Sequence, residues 1–356
     1  MPQTGLWPQI AVQFAAQHAA RRKPGCPAVS ANAIVFFATS KSGLGHLRRS
    51  ATIARALRRA APARNLRLVT NAAPQGLDPE DLSVFDQITV ADRAAMPAAA
   101  GVDPFTAVLD TMNLPELEER AASRILVLRE TPDTQLLRFQ PAHRPWTRVL
   151  IANPADHWLP DLPDSSSQDI VSVGWIYRVA EAATQTARSR PLLLVATGGG
   201  GTAQTAAEIY SQIGNLIARL RKLCPTPFDA VQAIGPRARD FGQAPGIDHI
   251  IDPGGGLNRL FHDADAVIST AGYNSVLELA TTSTPTHLIA IPRSIDDQDA
   301  RIRLWSGRLG LPQGSENPSE NGDWLAQALY YRLRRAPVAL GPSGEDRAAE
   351  AILAVA

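Results

Sequence analysis

The 356-residue sequence lacks the features that mark secreted, membrane-spanning or nucleic-acid-binding proteins. Its two cysteines, Cys26 and Cys224, are too far apart in sequence for a metal-ligand spacing, which favours a reducing compartment. No apolar run approaches the roughly 20 residues that a membrane helix needs. The Ala-rich segment 10–20 is followed, not preceded, by basic residues, the wrong order for a signal peptide. We therefore expect a cytoplasmic protein.

The overall charge and composition indicate a soluble globular chain. The formal net charge is +1, so nothing global favours a nucleic-acid partner. The hydrophobic fraction of 45% and the charged fraction of 19% fit a folded protein, and the length suffices for two domains.

The order of apolar runs predicts an α/β fold. The continuous run 33–38 is typical of a central parallel strand, and further short runs alternate with helical segments. A polar, turn-rich stretch near the middle of the chain marks a boundary. We predict an extension at 1–32, poorly ordered or loosely docked, a first Rossmann-like domain at 33–174 and a second at 175–356.

The first turn that could bind a ligand or take part in catalysis is Gly43-Leu-Gly-His46, between the first strand and a helix. Its glycines, Gly43 and Gly45, would let a ligand approach the backbone, and His46 could take a proton near neutral pH. An ordinary connection with a surface histidine is the alternative. Position 48 is arginine instead of a third glycine, so a nicotinamide dinucleotide site is poorly supported.

The second turn is Thr197-Gly-Gly-Gly-Gly-Thr202, which opens the second half after a strand. It lacks the Gly-Lys-Ser/Thr ending of a P-loop. Four consecutive glycines raise the entropic cost of folding by roughly 0.5–1 kcal/mol each relative to alanine. A backbone cradle for a diphosphate is the better explanation.

The third turn lies in Ser269-Thr-Ala-Gly-Tyr-Asn-Ser-Val-Leu-Glu278. A buried strand, a glycine turn and a helix opening at Tyr273 would point free N–H groups at an anion. We expect Glu278 on the first helical turn, where a carboxylate can reach a pair of ligand hydroxyls. A polar cluster, 291–298, follows the next strand at the same edge.

Other chemistries find little support. There is no Gly-x-Ser-x-Gly elbow, which excludes the simplest hydrolase. Asp263-Ala-Asp265 resembles a metal motif, but it precedes a strand and so lies away from the expected cleft. The histidines other than His46 lack partners at ligand spacing, and we interpret them as surface or satisfied residues.

Taken together, the three turns resemble the GT-B nucleotide-sugar glycosyltransferases, nearest to family 28, which includes the enzymes that form lipid II. The similarity covers nearly the whole chain from about Ala33. The first turn is also similar to a sister group, the UDP-sugar hydrolases of nonulosonate synthesis, whose Gly-x-Gly-His-x-x-Arg matches Gly43 to Arg49. The resemblance implies two doubly wound Rossmann-like domains that face a central cleft.

The resemblance also implies a role for each matching residue. Glu278 would bind the ribose hydroxyls, and Asp297 and Gln298 would bind the donor sugar. His46 would act as base, and Arg49 would neutralise phosphate as UDP leaves. The diphosphate would be held by Gly199, Gly200, Thr202, Gly272, Asn274 and Ser275. No metal or other cofactor is expected, because helix N-termini would stabilise the leaving group.

Three departures from the family pattern leave the substrates open. Ser275 stands where the family usually has threonine, Gln-x-x-Asn reads Gln298-Asp-Ala-Arg301, and the first glycine loop is shorter. We predict transfer of a hexose or N-acetylhexosamine from a UDP-sugar to a small-molecule or lipid-linked acceptor. A UDP-sugar hydrolase and a non-catalytic nucleotide-sugar-binding protein are the alternatives.

The helix after His46 carries five arginines, which raises the question of membrane contact. A solvated basic face is the default interpretation. The alternative is peripheral docking to an anionic membrane, at the inner face of the cytoplasmic membrane, that presents a lipid-linked acceptor. The arginines concerned are Arg48, Arg49, Arg55, Arg58 and Arg59.

Overall fold

The computed structural model arranges the described part of the chain as two parallel sheets with helices connecting their strands. The described residues are 33–40, 43–72, 79–101, 104–163, 169–179, 188–198, 203–235, 241–254, 256–292, 296–310 and 323–356. The extension that we predict at 1–32 lies outside them.

The first sheet has seven parallel strands in the order β3-β2-β1-β4-β5-β6-β7. Its strands are β1 Ala33–Ala38, β2 Leu66–Thr70, β3 Gln87–Val90, β4 Phe105–Asp110, β5 Ser123–Leu128, β6 Arg148–Ile151 and β7 Ile170–Ser172. All six residues of β1 are buried, because the strand lies at the centre of the sheet and both of its faces are covered. The continuous apolar run that predicts this strand is thereby explained.

The second sheet has five parallel strands in the order β10-β9-β8-β11-β12. Its strands are β8 Leu192–Ala196, β9 Asp229–Ala233, β10 His249–Ile251, β11 Ala266–Thr270 and β12 Thr286–Ile289. The central pair, β8 and β11, again consists of nearly continuous buried apolar residues.

Helices follow most of the strands, as crossover connections between parallel strands require. They are α1 Gly45–Ala60, α2 Pro79–Leu82, α3 Met96–Ala99, α4 Asp133–Leu136, α5 Ala203–Leu223, α6 Leu257–Asp263, α7 Tyr273–Ala280, α8 Gln298–Leu309, α9 Asp323–Tyr331 and α10 Glu345–Leu353. Single 3-10 turns occupy Arg93–Ala95, Pro115–Leu117 and Leu137–Phe139.

The carboxyl ends of the two sheets face each other. Since all strands of a sheet run the same way, their carboxyl ends share one edge, and side chains from the two edges are in contact. Arg301, which follows β12, bonds Glu130, which follows β5. The side chain of Asn274, after β11, bonds the backbone of Gly45, after β1. Ligands of open α/β sheets bind at such edges, so the functional site is expected here.

One hydrophobic core joins the two sheets. It contains residues from β1, α1 and β2 together with residues from β8, β11 and α7. Within it, the Trp175 ring centroid lies 6.1 Å from that of Tyr273 and 5.8 Å from that of Trp305. Two further cores cover the outer faces of the first and second sheets.

The last helix of the chain packs against the first sheet. Arg59 of α1 pairs with Glu345 and Asp346 of α10 at 2.7 and 2.8 Å, and the Ser123 hydroxyl donates to the Val355 carbonyl at 2.6 Å. The sequence assigns these C-terminal residues to the second domain, whereas their contacts are with the first half. The boundary between residues 174 and 175 stays a prediction.

Candidate active site

The starts of α1 and α7 meet in the space between the two sheets. The side-chain amide of Asn274 donates to the Gly45 carbonyl at 2.8 Å. Gly45 and Gly272, at the two helix starts, leave the backbone accessible, and neither helix has a side-chain cap or an acidic residue in its first turn. Two helix starts with no acidic residue in their own first turns are suited to an anion.

His46 is paired with a carboxylate that closes strand β4. Its Nδ1 lies 2.7 Å from Oδ1 of Asp110, which is buried, while the imidazole remains 24% exposed. A carboxylate partner at Nδ1 favours the tautomer with its proton on Nδ1. Nε2 is then unprotonated, which is the form a general base requires.

Arg49 lies beneath His46 and holds Asp110 in place. Its Nε donates to Oδ2 of Asp110 at 2.9 Å, and its Nη2 donates to Oδ1 and, at 3.0 Å, to the Thr111 hydroxyl. Burial alone would raise the pKa of Asp110, but the charges of Arg49 and His46 lower it to about 2. Asp110 is therefore an anion at neutral pH, and Arg49, which we expected to neutralise a phosphate, is bound to Asp110.

Thr111 gives the end of β4 an uncommon backbone conformation. Its φ angle is 51°, in the left-handed region that β-branched residues rarely adopt. There its N–H donates to the Val127 carbonyl at 2.8 Å, and its hydroxyl accepts from Arg49. Strain of this kind is tolerated where the surroundings fix it and is common at functional sites.

Glu278 lies in the second turn of α7, not in the first turn as the sequence suggested, and it is bound to α1. Both of its carboxylate oxygens are 3.1 Å from Nη1 of Arg48. Burial raises the pKa of Glu278, and the Arg48 charge opposes that increase. The carboxylate that we expected to bind a ribose thus has an arginine partner from the opposite half of the molecule.

A buried cluster of two arginines and two carboxylates spans the facing edges of the sheets. Arg129 pairs with Asp296 at 2.9 Å, and Arg301 pairs with Asp296 at 2.7 Å and with Glu130. Burial alone would raise the pKa of both carboxyls, but the two guanidinium groups hold both below their usual range. The cluster is consequently neutral as a whole, with both carboxylates ionised.

Tyr273 stands at the centre of these groups. The guanidinium carbons of Arg49, Arg129 and Arg301 lie 5.3, 5.9 and 6.0 Å from its ring centroid, within cation–π range. Its hydroxyl donates to the Ala152 carbonyl, and burial raises its pKa. The first residue of α7 is therefore in contact with Arg49, which binds Asp110, and with both arginines of the buried cluster.

Comparison with solved structures identifies this architecture. A spinosyn forosaminyltransferase matches with a TM-score of 0.53 and 13% identity, over 91% of this chain and 99% of its own. The Phytolacca americana UGT2, solved with UDP-2-fluoroglucose and pterostilbene, matches with a TM-score of 0.50 and 12% identity, over 92% of this chain and 94% of its own. A spinosyn rhamnosyltransferase solved with thymidine diphosphate matches with a TM-score of 0.50 and 12% identity, over 91% of this chain and 95% of its own.

The chain has the GT-B fold. The resemblance to GT-B glycosyltransferases, drawn from the three turns, is confirmed at the level of the fold, and the assignment to family 28 stays a prediction. No protein-family model and no curated protein sequence matches the chain.

Some of the residues predicted for the site lie together at the cleft edge, and others lie outside the described residues. Gly43, Gly45, His46, Gly272, Asn274 and Ser275 all belong to the two helix starts or the residues leading into them. Gly199, Gly200 and Thr202 lie outside the described residues. The roles assigned to all of these residues stay predictions.

Asp297 and Gln298, expected to bind the donor sugar, make bonds within the protein. The Asp297 carboxylate caps α8 by accepting from the Ala300 N–H at 2.8 Å. The buried Gln298 side chain accepts from the Ile291 N–H at 2.9 Å and donates to Asp296 at 3.0 Å. A sugar would have to share or replace these bonds.

The five arginines of α1 do not form a free basic face. Arg55 pairs with Asp81 at 2.5 Å, Arg58 with Asp86 at 2.8 Å, and Arg59 with two carboxylates of α10. Arg48 and Arg49 have the partners described above. Membrane docking through this helix stays a prediction that these paired charges do not favour. No helix among the described residues is long and apolar enough to cross a membrane.

Two other sequence interpretations can be compared with the structure. Asp265, of the Asp-x-Asp motif, accepts from the Leu192 N–H at 2.8 Å at the edge of the second sheet away from the cleft, a structural role. The interpretation of His287 as a surface or satisfied residue is wrong: it is buried in β12, its Nδ1 has no hydrogen-bond partner among the described residues, and burial lowers its pKa to about 4. Within the described ranges, no group of three or more His, Cys, Asp or Glu side chains could hold a metal ion.

Sequence reasoning missed several residues of the site. Asp110 was detectable, because it directly follows the apolar run of β4 and so comes to the edge of the sheet that carries His46. Arg129, Glu130 and Asp296 gave a similar but weaker signal, since polar residues follow many strands. Their pairing across the cleft had no signal in the sequence.

Proposed function

We propose that this protein is a glycosyltransferase that moves a sugar from a nucleoside diphosphate sugar to a hydroxyl acceptor. One observation carries the proposal: the His46–Asp110 pair lies at the start of α1, which is joined to the start of α7 by the Asn274–Gly45 bond. A base for the acceptor is thereby adjacent to the anion seat, the two helix starts whose N–H groups would bind the leaving diphosphate.

The donor is proposed to be a UDP-sugar carrying a hexose or N-acetylhexosamine. The N–H groups at the start of α7, from Tyr273 to Ser275, would donate to the diphosphate, and Gly199, Gly200 and Thr202 are proposed to bind it as well. Structural neighbours were solved with a UDP-sugar analogue and with thymidine diphosphate. The choice of uridine rests on the sequence resemblance, so both bases belong in the test.

The proposed reaction uses His46 as base. Nε2 takes the proton from the acceptor hydroxyl while the acceptor oxygen bonds to the anomeric carbon. The bond from that carbon to the diphosphate oxygen breaks, and the electron pair stays on the diphosphate. Asp110 stabilises the imidazolium that forms, and the two helix starts stabilise the charge that develops on the leaving group.

Arg49 is proposed to position Asp110, and Glu278 is proposed to bind the ribose hydroxyls. The first proposal follows from the buried bidentate contact between Arg49 and Asp110. In the second, the ribose hydroxyls would share the Glu278 carboxylate with Arg48, since an ionised carboxylate can accept about four hydrogen bonds.

Metal-independent transfer is part of the proposal. The positive ends of α1 and α7 would supply the electrostatic stabilisation of the diphosphate that a divalent cation supplies in other enzymes. Activity should survive dialysis against EDTA and should not rise when magnesium or manganese is added. Loss with EDTA and recovery with either cation would contradict this part alone.

The experiment that tests the function combines binding and turnover. Purified protein is titrated calorimetrically with UDP-sugars and dTDP-sugars, and release of nucleoside diphosphate is followed with and without a panel of small-molecule and lipid-linked acceptors. We expect acceptor-dependent release that is lost in His46→Ala.

The other outcomes are distinct. Release from the donor alone, also lost in His46→Ala, would indicate a hydrolase. Binding without release against every acceptor would indicate a nucleotide-sugar-binding protein. Failure to bind any donor with the fold intact would overturn the proposal.

A further inference from the structure

Arg301 makes contacts with three separate parts of the site. From α8, its Nη1 donates to the Ala271 carbonyl and to Asp296, both at 2.7 Å, and its Nε donates to Glu130 at 2.7 Å. The side chain is only 3% exposed. Arginine is suited to such a position because its planar fork can serve several acceptors at once.

The contact with Ala271 fixes the peptide unit at the start of α7. The Ala271 carbonyl and the Gly272 N–H belong to the same peptide plane. Arg301 binds the carbonyl, and the Gly272 N–H donates to the Thr270 carbonyl at 2.8 Å. Both polar atoms of the unit are therefore held, and the direction of the N–H groups that follow it is set.

The contact with Glu130 ties this peptide unit to the opposite sheet. Glu130 follows β5, and Asn153, after β6, donates to its second carboxylate oxygen at 2.9 Å. Glu130 is thus anchored in the first sheet while it binds an arginine of the second. Arg301 connects the start of α7 to the half of the molecule that carries His46.

We propose that Arg301 is a positioning residue that fixes the diphosphate-binding N–H groups at the start of α7. Through Glu130, it also makes their orientation depend on the position of the first sheet. This inference rests on the proposed function, since it concerns the same seat. Arg301 acts through the Ala271–Gly272 peptide and touches no substrate.

The test compares a ligand that has a diphosphate with one that has none. Affinity for UDP is measured by calorimetry, and binding of uridine by ligand-observed NMR, in the parent, Arg301→Ala and Arg301→Lys. We expect Arg301→Ala to weaken UDP at least about tenfold, which is 1.4 kcal/mol, and to change uridine binding less than about twofold. A role confined to neutralising buried carboxylates would weaken both ligands equally, and that result would overturn the proposal.

Three controls protect the comparison. Arg303→Ala, an exposed arginine of the same helix, should leave UDP affinity unchanged. Guanidinium chloride, far below its denaturing range, should restore UDP affinity to Arg301→Ala, while sodium chloride at the same concentration should not. If Arg301→Ala fails to fold, Arg301→Lys decides, because it keeps the charge but lacks the fork and should still lose UDP affinity selectively.

The coupling to the first sheet is tested with Glu130→Ala. The losses of UDP affinity in Glu130→Ala and Arg301→Ala should not add in the double variant, because both changes remove the same connection. Additive losses would overturn the coupling. A parent protein that binds neither UDP nor dTDP would overturn the proposed function and this inference with it, whereas normal UDP binding by Arg301→Ala would overturn only the inference.

Discussion

The Asn274 side chain, in the first turn of α7, donates a hydrogen bond to the carbonyl of Gly45 at the start of α1, at 2.8 Å. This bond joins two helix N-termini that come from different sheets. It also makes Gly45 a position of close approach, since a Cβ there would lie 3.3 Å from the Asn274 amide nitrogen. The proposed anion seat is therefore a shared property of both halves.

Replacing Asn274 by aspartate should weaken nucleotide binding strongly. The new carboxylate would lose the donor to Gly45 and would place a negative charge where the diphosphate binds, so we expect UDP affinity to fall more than about tenfold, or 1.4 kcal/mol. Asn274→Ala, which adds no charge, should lose less. The measurement is calorimetric titration with UDP. Asn65→Asp, at the other edge of the first sheet, is the matched control, and an equal loss there would contradict the interpretation.

Asp110→Asn should reduce turnover more than it reduces donor binding. An asparagine amide can donate to Nδ1 of His46 and so favour the tautomer in which Nε2 carries the proton, which removes the base. We expect kcat to fall about 10²- to 10⁴-fold, the range for losing general base catalysis, with little change in UDP affinity. Circular dichroism checks the folded fraction, and the exposed Asp92→Asn is the control. Unchanged kcat in folded protein would remove His46–Asp110 from the mechanism.

The protein should lose stability in acid partly because of Asp110. Its pKa is lowered on folding from 3.8 to about 2, so its stabilising contribution is complete above pH 4 and disappears as the pH falls towards 2. The difference corresponds to about 2 kcal/mol. Glu130 and Asp296 act in the same direction, and the raised pKa of Glu278 acts against them.

Urea unfolding at several pH values between 7 and 2 measures this effect. The free energy of unfolding of the parent should fall on acidification, and that of Asp110→Asn should fall less steeply from a lower starting value. Parallel pH dependences for the two proteins would show that Asp110 has no lowered pKa in the folded state.

Two glycine substitutions should change stability in opposite directions. A Cβ on Gly344 would overlap the Val173 carbonyl group and approach the Gly174 carbonyl oxygen, and these backbone atoms cannot move aside. Gly344→Ala should therefore destabilise the docking of α10 by about 1–3 kcal/mol. A Cβ on Gly307, within α8, meets nothing within 4 Å, so Gly307→Ala should stabilise by about 0.5–1 kcal/mol. Thermal unfolding compares them, and equal shifts would contradict the packing at Gly344.

Local sequence was sufficient to predict the strands and the turns that follow them. The run 33–38 predicts β1, and the strand–glycine–helix pattern at 266–273 predicts β11 and α7, because burial and backbone freedom act on neighbouring residues. The same logic predicts His46, Asn274 and Ser275 at the cleft edge, since the carboxyl ends of parallel strands share one edge.

The pairing of charges could not be predicted in this way. Arg48 and Glu278 are 230 residues apart in sequence, and Arg301 and Glu130 are 171 apart. Nothing local distinguishes an arginine that will meet such a partner from one on a solvated face, which is why α1 looked like a basic surface. The position of Asp110 at the cleft edge was detectable from the sequence, but its contact with His46 was not, because that contact depends on β4 lying beside β1.

Residues a few positions apart are thus enough to specify an α/β chain with glycine-led helix starts and a histidine at one of them. Three further properties arise only in the folded molecule: the two helix starts are joined, Asp110 orients His46, and every arginine of α1 is paired. Those properties depend on how the two sheets approach each other. That approach is set by the shared core around Tyr273, which forms only when distant parts of the chain fold together.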